Sequence, residues 1–262
     1  MSDFPETDVL LDGAVRAARA AGDHALRNRD RRNEVEETFA HDVKLTLDLE
    51  AQEQAFGVIH ERFPNDAVLG EEGRMDYDRS RPCWIVDPID GTVNFAHGMP
   101  LWCSSVAVEI QGRVVAGCVY LPEMKECYTA TIDRPAECNG RRIRPSSVPA
   151  LEEALILTGL SKHVVDGSPA FDVFKALSLR ARKVRIMGAA AVDICHVACG
   201  RAEGYVETGI YLWDIAAAGL IARQAGARTE VLQELGDFKM RYLCTNGILH
   251  EDLRRIMEES IP

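Results

Sequence analysis

Basic side chains and long apolar runs are both scarce in this 262-residue sequence. It contains 30 Lys and Arg against 41 Asp and Glu, which gives a formal net charge of −11. A nucleic-acid-binding protein needs a basic face to displace counterions from phosphate, so the composition argues against nucleic acid as a partner. The longest stretch without a charged side chain, 91–108, contains Asn, His, Pro and Ser, which disfavours a membrane-spanning helix.

Signals for export and for disulfide bonds are also missing. The N-terminus is acidic and lacks the basic start and apolar segment of a signal peptide. The 8 cysteines are scattered along the chain without a Cys-x-x-Cys pair, and Cys195 and Cys199 fall in an apolar helical pattern. We therefore expect buried free thiols and a reducing, cytoplasmic compartment.

Several common catalytic motifs do not occur. The sequence has no GxGxxG loop, no GxxxxGK[ST] loop, no GxSxG elbow and no HExxH helix. These absences argue against a dinucleotide-binding, P-loop, serine-hydrolase or zinc-protease site. With 47% hydrophobic residues, the chain nevertheless has ample material for a folded core.

Hydrophobic periodicity predicts a different architecture for each half of the chain. Residues 8–28 have the apolar spacing of an amphipathic helix, and alternation at 104–110 and 113–120 predicts antiparallel strands. The second half alternates predicted strands and helices, which is typical of α/β layering. We expect an alternating α-β-α-β-α sandwich, with an antiparallel sheet in an N-terminal half (1–147) and a mixed sheet in a C-terminal half (148–262).

An acidic segment, Asp87-Pro-Ile-Asp-Gly-Thr-Val-Asn-Phe95, directly follows an apolar predicted strand at 83–87. The strand would carry Asp87 to its carboxyl end, where ligands of α/β sheets tend to bind. Asp87 and Asp90 can converge there with the Ile89 carbonyl between them. Such hard oxygen ligands favour Mg²⁺, Mn²⁺ or Ca²⁺ over zinc. Taken alone, the segment favours an Asp-rich surface turn over a metal site.

Further polar groups recur at similarly placed positions. Glu71 and Glu72 follow a short predicted strand, Asp48 ends another, and Asp214 begins an apolar helix. Buried carboxylates do not cluster unless cations compensate them, so four or five together imply more than one divalent ion. The Gly91-Thr92 pair opens a predicted helix and offers backbone N–H groups to an anion.

Three motifs in order resemble the inositol monophosphatase family of magnesium-dependent, lithium-sensitive phosphatases. They are Gly70-Glu-Glu, the segment from Trp84 to Phe95 with its Asp-Pro-Ile-Asp-Gly-Thr core, and Trp213-Asp. The resemblance extends from the helix at 17–22 to the strand at 244–247.

This resemblance implies roles for the matching positions. Glu71, Asp87 and the Ile89 carbonyl would hold one Mg²⁺, and Asp87, Asp90 and Asp214 a second. The site would use two or three ions, with Mn²⁺ as a possible substitute. Asp48, Glu71 and Thr92 would activate the attacking water. The family's substrate contacts correspond to Asp90, Gly91, Thr92, Ala190, Glu207 and Asp214.

The expected substrate is a small polyol phosphate, with inositol 1-phosphate favoured. Glu207 matches a family position that contacts polyol hydroxyls, and the segment 210–215 lacks the pattern of nucleotide 3′-phosphatases. Histidinol phosphate and fructose 1,6-bisphosphate stay open as alternatives within the family. A non-catalytic metal-binding regulatory protein is the alternative from another class, but it predicts a lost carboxylate or a lost Thr92, and both are present. The family also implies a homodimer.

The sequence departs from the family pattern in two places. Relatives often have a Lys about eleven residues before the position of Asp48, where this chain has Glu37, so the lysine is either relocated, with Lys44 the basic residue closest to Asp48, or lost. Residues 227–239 lack the usual Asp-Gly hairpin. We expect Asp193 and Glu203 to be helix and turn residues rather than ligands.

Overall fold

The computed structural model describes residues 5–38, 43–73, 77–160 and 164–261. The α-helices within these ranges are α1 (Thr7–Arg27), α2 (Thr46–Arg62), α3 (Thr92–Ala96), α4 (Pro169–Arg180), α5 (Ala190–Ala198), α6 (Leu212–Ala225) and α7 (His250–Ser260). No described helix is long and apolar enough to cross a lipid bilayer.

The strands form one two-stranded, one seven-stranded and one five-stranded sheet among the described residues. They are β1 (Val35–Thr38), β2 (Val43–Leu45), β3 (Ala67–Gly70), β4 (Cys83–Asp90), β5 (Cys103–Ile110), β6 (Arg113–Leu121), β7 (Glu126–Thr131), β8 (Arg134–Cys138), β9 (Arg141–Arg142), β10 (Leu155–Thr158), β11 (Lys183–Arg185), β12 (Gly204–Tyr211), β13 (Arg228–Gly236) and β14 (Lys239–Thr245).

The layers confirm the predicted α-β-α-β-α sandwich. The seven-stranded sheet runs β3 to β9 in chain order and is antiparallel except between β3 and β4. The five-stranded sheet has the order β11-β10-β12-β14-β13 and mixes parallel and antiparallel pairs. Helices α1 and α2 cover the first sheet, α5 and α6 lie between the sheets, and α4 and α7 cover the second.

Small residues allow α1 to lie close to the first sheet. Its inward face is largely alanine, and Gly13 and Gly22 stand where larger side chains approach. A Cβ at Gly13 would lie 2.6 Å from the Trp84 ring, and one at Gly22 would lie 2.9 Å from Tyr120. The close packing of this layer therefore depends on residue size as well as on hydrophobicity.

Strand β4 carries the acidic segment, and its local irregularity sets where the acids point. Trp84 and Val86 pack beneath α1 and α2, whereas Ile85 packs on the opposite face, toward α5 and α6. The pairing with β5 shifts register between Asp87 and Asp90. Ile89 consequently packs in the core beneath α1 and α2. The shift thus allows Asp87 and Asp90, which are three residues apart, to lie on the same face of the sheet.

The structure corrects the prediction that Asp48 ends a strand. Strand β2 stops at Leu45, and α2 begins at Thr46, so Asp48 lies in the first helical turn. Its Oδ2 accepts the N–H of Leu45 at 2.7 Å. The Leu45 N–H would have no partner at the N-terminus of the helix, and the Asp48 carboxylate supplies one. This capping bond explains why α2 begins two residues before Asp48.

One more boundary differs from the prediction. Strand β4 continues to Asp90 rather than stopping at Asp87. Residues 227–239, which lack the family's usual Asp-Gly sequence, contribute to a hairpin of β13 and β14. Its turn uses left-handed backbone at Gly236, Asp237 and Phe238, with φ of 86°, 48° and 60°. The cross-strand pairing compensates a turn that non-glycine residues adopt at some cost.

Candidate active site

Three carboxylates converge where β4 ends and α6 begins. One oxygen from each of Asp87, Asp90 and Asp214 lies within 4.8 Å of the others. Asp214 occupies the first turn of α6, where its Oδ2 accepts the N–H of Tyr211 at 3.0 Å. The same N-terminal capping arrangement that holds Asp48 on α2 therefore positions Asp214 on α6.

Asp87 is the most enclosed of the three. It is 1% exposed, and neither carboxylate oxygen receives a hydrogen bond in the described part of the chain. Burial raises the pKa of Asp87 well above its ordinary value, and the neighbouring Glu71, Asp90 and Asp214 raise it further. An orphaned acid among other acids is unfavourable unless a cation joins them, so this donor set fits a hard divalent metal ion.

Asp90 joins the two halves of the molecule. Its Oδ1 accepts the N–H of Ala190 at 3.1 Å, and its Oδ2 accepts the N–H of Ala191 at 2.7 Å. Both donors belong to the first turn of α5, where backbone N–H groups have no partner within the helix. Burial raises the pKa of Asp90 to about 6, although these two hydrogen bonds oppose the rise.

The turn after Asp90 depends on glycine. Gly91 has φ of 92°, and a Cβ there would lie 3.0 Å from the Leu101 carbonyl oxygen. This geometry lets α3 begin at Thr92, whose hydroxyl donates to the Ile89 carbonyl at 2.9 Å. Ile89, Gly91 and Thr92 all line the same cavity as the carboxylates.

Glu71 reaches the site from the neighbouring strand. It directly follows β3, and its N–H donates to the Val86 carbonyl at 3.1 Å. Glu71 lines the cavity together with Asp87, whereas Asp48 is buried and does not line it in the described part of the chain. The structure therefore places Glu71 beside Asp87 on the cavity wall, whereas Asp48 is not among the described lining residues.

Gln52 supports this strand end and is a residue that the sequence analysis missed. Its amide nitrogen donates to the Glu72 carbonyl at 3.2 Å, and its amide oxygen accepts the Glu72 N–H at 3.0 Å. A Cβ at Gly70 would lie 2.2 Å from that amide oxygen, so the glycine before the two glutamates makes room for it. In the sequence, Gly70 was the one available indication that another side chain packs against this strand end. Lys44 pairs with the Glu72 carboxylate at 2.6 Å.

Two more acids line the cavity. The cavity has a volume of about 260 Å³, and Asp193, Glu207 and Ala190 line it with the metal-site carboxylates. Glu207 accepts the hydroxyl of Tyr205 at 3.0 Å. Burial raises the pKa of Glu207 to about 8. Asp193 is a helix residue as predicted, but it faces the cavity.

The sequence of the chain matches the model of the inositol monophosphatase family over residues 6–261. The chain belongs to this family. The resemblance inferred from the three motifs is thereby confirmed. As a family member the protein is a phosphoric monoester hydrolase of a metal-dependent class, so the non-catalytic alternative is wrong.

Individual relatives agree with the family assignment. The chain is 34% identical to the Nus factor SuhB of Vibrio cholerae over 222 residues, which covers 83% of each protein. It is 32% identical to a fructose-1,6-bisphosphatase/inositol-1-monophosphatase of Thermotoga maritima over 254 residues, covering 96% of each. The solved inositol monophosphatase of Anabaena superposes with a TM-score of 0.85 at 30% identity, covering 96% of both chains.

Proposed function

We propose that this phosphatase requires Mg²⁺ and hydrolyses a small polyol monophosphate, with inositol 1-phosphate as the favoured substrate. The observation that carries the proposal is the layout of one cavity. The carboxylate cluster of Asp87, Asp90 and Asp214 lines this cavity together with Glu207. A phosphate would bind at the cluster, and the polyol would extend toward Glu207.

The residues divide into two metal-binding sets. Glu71, Asp87 and the Ile89 carbonyl would hold one Mg²⁺, and Asp87, Asp90 and Asp214 a second. Two ions suffice for the chemistry, a third fits the family pattern, and Mn²⁺ satisfies the same oxygen ligands. When bound, the ions neutralise the phosphate dianion, lower the pKa of a coordinated water and stabilise the leaving alkoxide.

The chain's own groups orient the reacting atoms. Gly91 and Thr92 present backbone N–H groups at the start of α3, where they would receive phosphate oxygens. The Thr92 hydroxyl, held by the Ile89 carbonyl, would align the attacking water together with Glu71. Asp48 contributes to this alignment from the start of α2. The Ala190 backbone, anchored by Asp90, would border the polyol.

The cavity wall favours a single phosphate. Among the described residues that line it, none is Lys or Arg, and the cation that acts electrostatically on Glu207 is Lys239. Fructose 1,6-bisphosphate is the alternative supported by the name of the Thermotoga relative. Histidinol phosphate is a further alternative, because an ammonium group could pair with the carboxylates of Asp193 and Glu207.

Phosphate release from a substrate panel tests this proposal. The panel contains inositol 1-phosphate, histidinol phosphate, fructose 1,6-bisphosphate and 3′-phosphoadenosine 5′-phosphate, each with Mg²⁺ and with EDTA. We expect Mg²⁺-dependent turnover that is greatest with inositol 1-phosphate. Asp90→Asn should lower the rate on the order of 10²-fold or more, whereas Asp252→Asn on the outer helix α7 should not. Release that is unaffected by EDTA would contradict the proposal.

We also propose a homodimer, located in the cytoplasm. Three apolar side chains in the segment around α4 are exposed, namely Val165, Phe171 and Leu179. We infer that a second chain covers them. The 8 free cysteines support a reducing compartment.

Nucleic acid is not among the partners that we propose. The Vibrio relative carries the name Nus factor, so binding of RNA is the case to test. The net charge of −11 disfavours direct binding to a phosphate backbone. A gel shift with single-stranded RNA at about 0.15 M salt tests this, and a shifted band there would contradict it.

A further inference from the structure

Asp193 lines the active-site cavity and has one buried carboxylate oxygen without a partner among the described residues. The residue lies in the first turns of α5 and is 1% exposed. Its Oδ1 has no hydrogen-bond partner in the described part of the chain, and the residue lines the cavity. A buried carboxylate oxygen without a donor is unfavourable, so such an oxygen at a cavity wall suits a ligand that supplies the donor.

Glu207, on the same wall, is already held by the protein. The Tyr205 hydroxyl donates to its Oε2 at 3.0 Å. Gly159 lies against that oxygen, where a Cβ would approach to 1.9 Å, and its N–H donates to the carboxylate. Glu207 therefore has a fixed orientation supported from behind, whereas Asp193 lacks an equivalent support at Oδ1.

We propose that Asp193 is a specificity-determining residue that accepts a hydrogen bond from a hydroxyl group of the substrate. It would act beside Glu207, so the two carboxylates would together receive at least two hydroxyl groups of the polyol. This inference rests on the proposed function and narrows its substrate class to monophosphates that present such hydroxyls away from the phosphate.

A structural role for Asp193 predicts a different pattern of effects. The residue lies two positions beyond Ala191, whose N–H holds Asp90. If Asp193 only supported that contact, its loss would disturb the metal end of the cavity and would slow every phosphate ester. A contact with the polyol affects only substrates that carry the hydroxyls.

Two substrates separate these possibilities. Inositol 1-phosphate carries the hydroxyls, and 4-nitrophenyl phosphate carries none. For Asp193→Ala we expect kcat/KM for inositol 1-phosphate to fall roughly 10- to 100-fold, since a hydrogen bond between a buried acceptor and the substrate is lost. The value for 4-nitrophenyl phosphate should stay within about twofold of the wild type. Asp193→Asn keeps an acceptor oxygen and should recover part of the loss.

Glu109→Gln serves as the matched control. Glu109 is also a buried carboxylate, but it accepts the Tyr77 hydroxyl at 2.8 Å outside the active-site cavity. This variant should leave the ratio of the two kcat/KM values unchanged. Equal losses of kcat/KM on both substrates in Asp193→Ala would overturn the proposed contact. So would a loss on inositol 1-phosphate that Asp193→Asn does not partly recover.

Product binding gives a readout that does not need turnover. Inositol is titrated calorimetrically into wild-type protein saturated with Mg²⁺ and inorganic phosphate, and then into Asp193→Ala. We expect the variant to bind inositol more weakly by a similar factor. Equal affinities, or no binding by the wild type, would overturn the inference about Asp193. Absence of phosphatase activity with every ester, beside normal inositol binding, would instead contradict the proposed function and leave the contact standing.

Discussion

The side-chain amide of Gln52 makes two hydrogen bonds with the backbone of Glu72, one through each of its polar atoms. A side-chain amide can donate to the carbonyl and accept from the N–H at the same time, whereas an ionised carboxylate can only accept. Because Glu72 directly follows Glu71, this pair of bonds fixes the direction of the chain at Glu71, the proposed metal ligand. Gln52 acts through the backbone and is a positioning residue.

Gln52→Glu should therefore weaken metal binding. The carboxylate can still accept the Glu72 N–H, but it cannot donate to the carbonyl, and it adds negative charge beside two glutamates. We expect the apparent Mg²⁺ dissociation constant to rise about 10- to 100-fold, with a smaller effect at saturating Mg²⁺. Gln54→Glu, exposed on the same helix, is the control. Titration of activity with Mg²⁺ gives the dissociation constant of each variant. Equal constants for Gln52→Glu and the wild type would refute the positioning role.

Removal of the metal should expose the cost of the carboxylate cluster. Asp87 is buried and unpaired, so the neutral Asp87→Asn variant should be more stable than the wild type in EDTA. Mg²⁺ at about 100 times its dissociation constant should stabilise the wild type by about 2.7 kcal/mol. The variant should gain much less. Thermal denaturation with and without Mg²⁺ checks this, and an equal gain in both proteins would show that Asp87 is not a ligand.

The stability of the metal-free protein should fall as the pH rises through the titration of Glu207. Burial raises its pKa from 4.5 to about 8, so the folded state binds a proton that the unfolded state has released between these values. The stabilisation is complete below about pH 4.5 and is lost as the pH passes 8. Glu207→Gln should therefore have a higher Tm than the wild type at pH 8.5 but not at pH 4.5. The same difference at both pH values would argue against this titration.

Gly91 should resist substitution for two reasons. Its φ of 92° is unfavourable for other residues, and a Cβ would meet the Leu101 carbonyl at 3.0 Å. Gly140 has a φ of 74° with open space around it, so Gly140→Ala reports the backbone effect alone. That effect costs about 1–2 kcal/mol, and Gly91→Ala should cost more and abolish activity. Chemical denaturation and phosphate release test both variants; equal losses of stability would show that the close approach is unimportant.

The proposed dimer has its own test. Leu179 is 78% exposed on α4, and a charge there would prevent its burial against a second chain. Leu179→Glu should shift the protein to the mass of a monomer in light scattering after size-exclusion chromatography. Arg182→Glu, close by in sequence, is the control for added negative charge. A wild type that elutes as a monomer would contradict the dimer itself.

Local sequence chemistry was enough to predict much of this molecule. Hydrophobic periodicity predicted the main helices and strands, and with them a sheet in each half of the chain. The segment from Asp87 to Thr92 indicated a metal and anion site because its groups are neighbours in the chain, so their approach needs little help from the fold. The order of the three motifs indicated the family.

Tertiary structure decided the contacts between distant segments. Asp214 joins Asp87 only because α6 packs between the sheets, and Asp90 meets Ala190 only where α5 begins. Gln52 looked like any polar helix residue, and Asp193 like any acid on a helix, since periodicity specifies a face but not what lies opposite it. Such roles arise when packing brings a partner, or leaves one missing, at a buried polar atom. The sequence by itself thus determined the chemistry that is available, and the folded chain decided which groups share one cavity.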